Sequence, residues 1–113
     1  MTINEQLAAE LDLKLWQVEH TVTLIDEGST IPFIARYRKE ATGELNDEIL
    51  RTLDERLAYL RALEERKSDV KRMIDEQGNL TAELEAAIDA CTKQTEIEDL
   101  YRPFRPKRKH VQL

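Results

Sequence analysis

Apolar residues recur every three or four positions along most of this chain, the spacing of one helix face and not the alternation of a half-buried strand. Ile3, Leu7 and Leu11 make the first such stripe, and Thr2 with Glu5 has the form of a capping box, so a short helix is predicted to about Leu11. Asp12-Leu13-Lys14-Leu15 interrupts the rhythm. A second helix follows from about Trp16, with Val18, Val22 and Ile25 on one face and Gly28 as its stop, since glycine tolerates the positive φ of a helix end. Ser29 and Thr30 are N-cap candidates and Pro32 suits a first turn, which predicts a third helix from Ile31 to about Glu40, with Phe33, Ile34 and Tyr37 as its apolar side.

The longest stripe begins after Asn46 and runs through Ile49, Leu50, Leu53, Leu57, Leu60 and Leu63, resuming at Val70, Met73 and Ile74 before Gly78. It predicts one helix of about 30 residues, roughly 45 Å long. Glu64 to Asp69 nearly lacks apolar residues and is expected to be solvated and to protrude. Thr81 caps a fifth helix with Leu84, Ala87, Ile88 and Cys91 on its buried side, folded back antiparallel so that Leu53, Leu57 and Leu60 face Leu84 and Ile88. Thr95 with Glu98 reads as another capping box, opening a last helix that Pro103 ends. The fold class expected is therefore all-α: a short helix-turn-helix-like start, a long helix and an antiparallel helical hairpin over residues 1–101, then a basic extended segment over residues 102–113.

Composition supports helices, with only 3 Gly and 3 Pro in 113 residues, and 35% charged side chains. No window resembles a membrane span or a signal peptide, so a cytoplasmic protein without membrane association is expected. Cys91 stands alone and is read as a buried, inert thiol; with only His20 and His110 beside it, no metal set is expected. No nucleophile–base arrangement and no phosphate-binding glycine loop occurs, so neither catalysis nor a cofactor is expected. Trp16 is expected as a core anchor at a helix start, and His20 as a surface or half-buried helix residue.

The net charge of −6 is unevenly spread. Residues 1–35 set six acids against Lys14, and residues 78–99 set six against Lys93. Arg102, Arg105, Lys107, Arg108 and Lys109 meet no acid after residue 99, and Arg36, Arg38 and Lys39 form a second basic knot beside Glu40. Phosphate contact would have to come from these two places. The second helix is a poor groove reader, because Glu19, Asp26 and Glu27 occupy its outer face. For Arg36, Tyr37, Arg38 and Lys39 the alternatives are phosphate contact with base stacking on the tyrosine, or pairing with neighbouring carboxylates. For Arg102, Phe104, Arg105, Lys107, Arg108 and Lys109 they are nucleic-acid contact, or a strap into a following domain.

Two stretches carry more than periodicity. Asp26-Glu27-Gly28-Ser29-Thr30-Ile31-Pro32-Phe33-Ile34-Ala35-Arg36-Tyr37-Arg38-Lys39-Glu40-Ala41-Thr42-Gly43 resembles a signature near the start of the Tex family of bacterial transcription accessory proteins. Glu98-Asp99-Leu100-Tyr101-Arg102-Pro103-Phe104-Arg105-Pro106-Lys107-Arg108 resembles that family's second N-terminal marker, and the segments Arg56 to Arg61 and Glu76 to Gly78 are similar to it between the two. Leu15 stands where the family usually has proline, and His110-Val111-Gln112-Leu113 departs from its continuation. The resemblance implies an N-terminal helical module of a longer protein. The remainder would hold a catalytically silent RNase H-like domain, helix-hairpin-helix elements and an oligonucleotide-binding barrel that carries most of the nucleic-acid binding. Expected partners are those remaining domains, RNA or single strands through the whole protein, and transcription machinery. The competing expectation is a protein-interaction or intramolecular scaffold with no nucleic-acid contact of its own.

Overall fold

A computed structural model of the chain describes residues 2–105. It contains seven helices, α1 (Ile3–Leu11), α2 (Leu15–Asp26), α3 (Ile31–Tyr37), α4 (Lys39–Thr42), α5 (Asp47–Glu76), α6 (Ala82–Asp89) and α7 (Gln94–Tyr101), and a 3-10 turn at Arg102–Phe104. No strand occurs among the described residues. The helices gather into two compact units, Met1–Arg61 and Ala62–Leu113, and α5 gives residues to both.

In the first unit the expected capping box forms: the Thr2 hydroxyl accepts from the Glu5 amide and Glu5 Oε1 accepts from the Thr2 amide. Asp12, in the left-handed region at φ 56°, ends α1. Thr30 caps α3 through the Phe33 amide, and Asn46 caps α5 through the Ile49 amide. The predicted third helix is broken at Arg38 (φ −125°, ψ 36°), so that α4 is a separate single turn. Leu24, Ile34, Ala35, Leu45 and Leu50 form a core cluster, with Ile31 and Ile49 against it. Bidentate ion pairs fasten α5 here, Arg56 to Glu10 of α1 and Arg61 to Asp26 of α2. Leu53, Leu57 and Leu60 are buried in this unit.

The pairing of those leucines with Leu84 and Ile88 is therefore corrected. Helix α6 has 8 residues, about 12 Å at the helical rise, too short to run far along α5. The carbonyl of Asp89, its last residue, accepts from Lys67 Nζ at 2.8 Å, and the Asp89 carboxylate accepts from Lys71 at 2.7 Å. Ile88 and Cys91 are buried in the second unit with Val70 and Ile74, while Leu84 is half-buried and Ala87 exposed.

The expected protrusion over Glu64 to Asp69 is corrected as well. Leu63, Lys67, Val70 and Ile74 continue one buried stripe, because the Lys67 stem packs inward and its ammonium ends on a helix C-terminal carbonyl. Arg66 gives Glu98 two hydrogen bonds of 2.6 and 2.9 Å and lies 5.6 Å from the Tyr101 ring centroid. Glu98 is thus not the cap of the last helix. Helix α7 begins one residue before Thr95, and Glu96 accepts from the Thr92 and Lys93 amides instead. The start of the basic end is helical, not extended, since Arg102–Phe104 continue α7 as a 3-10 turn, and Arg105, the last described residue, is extended.

Candidate nucleic-acid interface

Helix α3 buries Ile34 and Ala35 and turns its other side outward. Phe33 and Tyr37, one helical turn apart, are expected to be apolar core but lie 44% and 60% exposed. The core is already filled by Ile31, Ile34 and Ala35, so the aromatic pair falls on the opposite side of the helix. Their rings pack on each other with centroids 5.3 Å apart, and the Arg36 guanidinium sits 5.5 Å from the Tyr37 centroid. On the far side of Arg36 an open cleft of about 350 Å³ is lined by Pro32, Ala35, Arg36, Lys39 and Asp47. Arg38 pairs with Glu40 at 3.4 Å. Among the described residues, Arg36 and Lys39 belong to no ion pair.

Three side chains of α2 hold α4 in place behind this surface. Gln17 Nε2 donates to the Thr42 carbonyl at 3.1 Å, His20 Nδ1 lies 3.0 Å from the Ala41 carbonyl, and Trp16 meets the His20 ring edge-on at 5.5 Å. Gln17 and His20 take up carbonyls that the end of a helix leaves without partners. Trp16 is thus no core anchor: it is 42% exposed and braces the turn at Gly43. Gly43 has φ +71°, and a Cβ there would meet Gln17 Nε2 at 2.5 Å and Trp16 at 2.9 Å. Periodicity could not show this bracing role, whose one sequence trace is the glycine.

In the second unit, Arg102 pairs with Asp99 at 3.1 Å, with both side chains exposed. Phe104 is half-buried, its carbonyl accepting from Gln77 Nε2 at 2.8 Å, and Arg105 is exposed. Lys107, Arg108 and Lys109 lie outside the described residues. Arg36, Tyr37 and Lys39 are thus brought onto one surface, while Arg102, Phe104 and Arg105 belong to the other unit. Cys91 is buried, its Sγ 3.4 Å from the Ala87 carbonyl. Burial, and after it the carboxylate of Glu96, push its thiol pKa up, which suppresses the reactive thiolate.

Residues 1–75 match the family described as Tex-like protein N-terminal domain. The chain belongs to that family. It is 52% identical over 109 residues to the transcriptional accessory protein Tex of Neisseria gonorrhoeae, covering 96% of this chain and 14% of that protein. Protein YhgF of Escherichia coli is 53% identical over 103 residues, covering 91% of this chain and 13% of that protein. The human S1 RNA-binding domain-containing protein 1 is 28% identical over 99 residues, covering 88% and 10%. The chain thus spans about a seventh of the length of the bacterial relatives it matches.

Proposed function

We propose that this chain is the N-terminal helical module of a longer, non-catalytic transcription accessory protein of the cytoplasm. The whole protein binds RNA or single strands mainly through parts outside these residues. The module adds a minor, sequence-tolerant contact from α3–α4 and from the basic end, Arg102 through Lys109. The observation that carries this reading is the exposed Phe33–Tyr37 pair beside Arg36 and Lys39, two bases without carboxylate partners among the described residues. Exposed aromatics interleaved with bases suit single strands, whose bases stack and whose phosphates need neutralising. The human relative's name, which specifies an S1 RNA-binding domain, agrees in kind.

The test is fluorescence anisotropy of the full-length protein with a labelled single-stranded oligonucleotide across a salt series. Each phosphate contact contributes about −0.7 to the slope of log affinity against log salt. Neutralising Arg105, Lys107 and Arg108 together should flatten the slope by about 2, and Arg36→Gln with Lys39→Gln by about 1.4. An unchanged slope in both variants sinks the reading. It would favour a scaffold that docks on the rest of its own chain or on transcription machinery, a role for which Leu15 and Trp16, 40% and 42% exposed on α2, offer an apolar contact.

A further inference from the structure

We infer that α3 and the cleft beside it form a subsite for one nucleotide unit of a single strand, the base stacked on Tyr37 and Phe33 and its phosphate held between Arg36 and Lys39. This rests on the reading above and specifies its geometry. The register of α3 orders most of the surface, and Lys39 of α4 completes it. Phe33 and Tyr37 form one stripe, Arg36 lies next to it, and the cleft lined by Pro32, Ala35 and Lys39 lies beyond. Arg36 borders both the aromatic stripe and the cleft, so one guanidinium can meet the base edge or the phosphate that follows it. A stacked base with its phosphate a few ångströms away needs that adjacency, because sugar and phosphate are covalently tied to the base.

Charge sets the direction. The opening on the other flank of Phe33 is lined by Glu27, whose carboxylate opposes a phosphate, whereas Arg36 and Lys39 line the cleft. The strand therefore leaves the aromatic pair toward Lys39. Asp47, which also lines the cleft and lies 3.9 Å from Arg51, supplies an opposing charge beside the two bases. Gln17 and His20 hold the carbonyls of Thr42 and Ala41, which ties down the backbone of the short helix that carries Lys39.

The experiment compares a labelled oligothymidylate with an abasic oligomer of equal length on the full-length protein, since the two share phosphates and differ in bases. Tyr37→Leu should weaken the oligothymidylate roughly tenfold and leave the abasic oligomer unchanged, as expected for one lost stacking contact. Arg36→Gln should weaken both, and Asp47→Asn should tighten both about twofold to threefold by removing the opposing charge. An oligomer carrying 5-iodouridine, irradiated on the unaltered protein, should crosslink to Tyr37 or Phe33. Tyr37→Leu that weakens both oligomers equally or neither, with crosslinks mapped elsewhere, overturns the subsite. If the salt slope still responds to Arg36→Gln, the broader nucleic-acid reading survives that result; if it does not respond, both fall. Circular dichroism of each variant separates loss of contact from loss of fold.

Discussion

Along α5, Arg51, Arg56, Arg61, Arg66, Lys67, Lys71 and Arg72 each lie within 4 Å of a carboxylate. Of the three bases on α3 and α4 only Arg38 does so, and its partner Glu40 is its own near neighbour. The residue types are the same, so composition cannot separate them. The separation comes from what each helix packs against. Arg51, Lys67 and Arg72 find carboxylates one turn away on α5 itself, whereas long-range pairs such as Arg56 with Glu10 and Arg66 with Glu98 use its guanidiniums as bidentate fasteners to other helices. Helix α3 gives its buried side to aliphatic residues and leaves its bases facing outward. Arginine on α5 thus belongs to the architecture, and Arg36 and Lys39 remain available to something else.

Substitutions can break that contrast at graded cost. The largest effect is expected for Leu57→Ala, 3% exposed on the buried stripe of α5, which should lose about 2 to 5 kcal/mol in chemical denaturation. A loss below about 0.5 kcal/mol would mean that the stripe is solvent-facing. Next comes Gly43→Ala, expected to cost about 1 to 3 kcal/mol because a left-handed backbone and the crowding of Gln17 coincide there. The comparison itself is sharpened by Arg66→Ala against Arg36→Ala. The first should cost about 1 to 2 kcal/mol through its partly buried bidentate pair, and the second less than about 0.5 kcal/mol. Equal losses would erase the distinction between fastener and free base.

The smallest effect concerns acid. Hydrogen bonds from Arg66 hold Glu98 below the ordinary carboxylate range, and those from Arg56 do the same for Glu10. A carboxylate with a lowered folded pKa stabilises the fold above its unfolded pKa, and that contribution is lost as pH falls toward the lowered value. Thermal melts should therefore show stability declining as pH drops through and below the ordinary carboxylate range. Glu98→Gln should make that decline shallower by less than about 1 kcal/mol, since solvent still reaches this partly buried pair. An acid limb unchanged by the substitution would show that Glu98 titrates normally.

Much of the helical layout can be read from the sequence because its signals are local. Thr2 with Glu5, Gly28, Gly78 and Thr81 mark helix ends where the structure has them, and the stripe from Ile49 to Ile74 gives the span of α5. The resemblance of residues 26–43 and 98–108 to the Tex family leads to the family that residues 1–75 match. What fails is long-range. Whether Trp16, Phe33 and Tyr37 are core or surface depends on how much aliphatic volume other helices supply, which spacing along one helix does not record. Lys67 looks solvated beside Glu64 and Glu65, yet it sits four residues after Leu63 and three before Val70, and the register was the better guide. Thr95 with Glu98 has the form of a cap, but a stronger partner, Arg66, lies 32 residues away. For the candidate surface, Arg36, Tyr37, Arg38 and Lys39 could be read from the sequence, and the structure added Phe33 and the cleft that Asp47 also lines.

The continuity of α5 also bears on how the chain folds. Its 30 residues divide between the two units at Arg61 and Ala62, so neither unit contains the whole of it. A half of about 15 residues is near the length at which an isolated helix is marginal in water, because nucleating the first turn is costly and each added residue repays little. Once one unit has formed its portion, the other inherits a nucleus and needs only propagation. Melting one unit frays the helix into its neighbour. Unfolding should therefore follow a single cooperative transition, and cutting the chain between Arg61 and Ala62 should leave two pieces each less stable than its share of the whole.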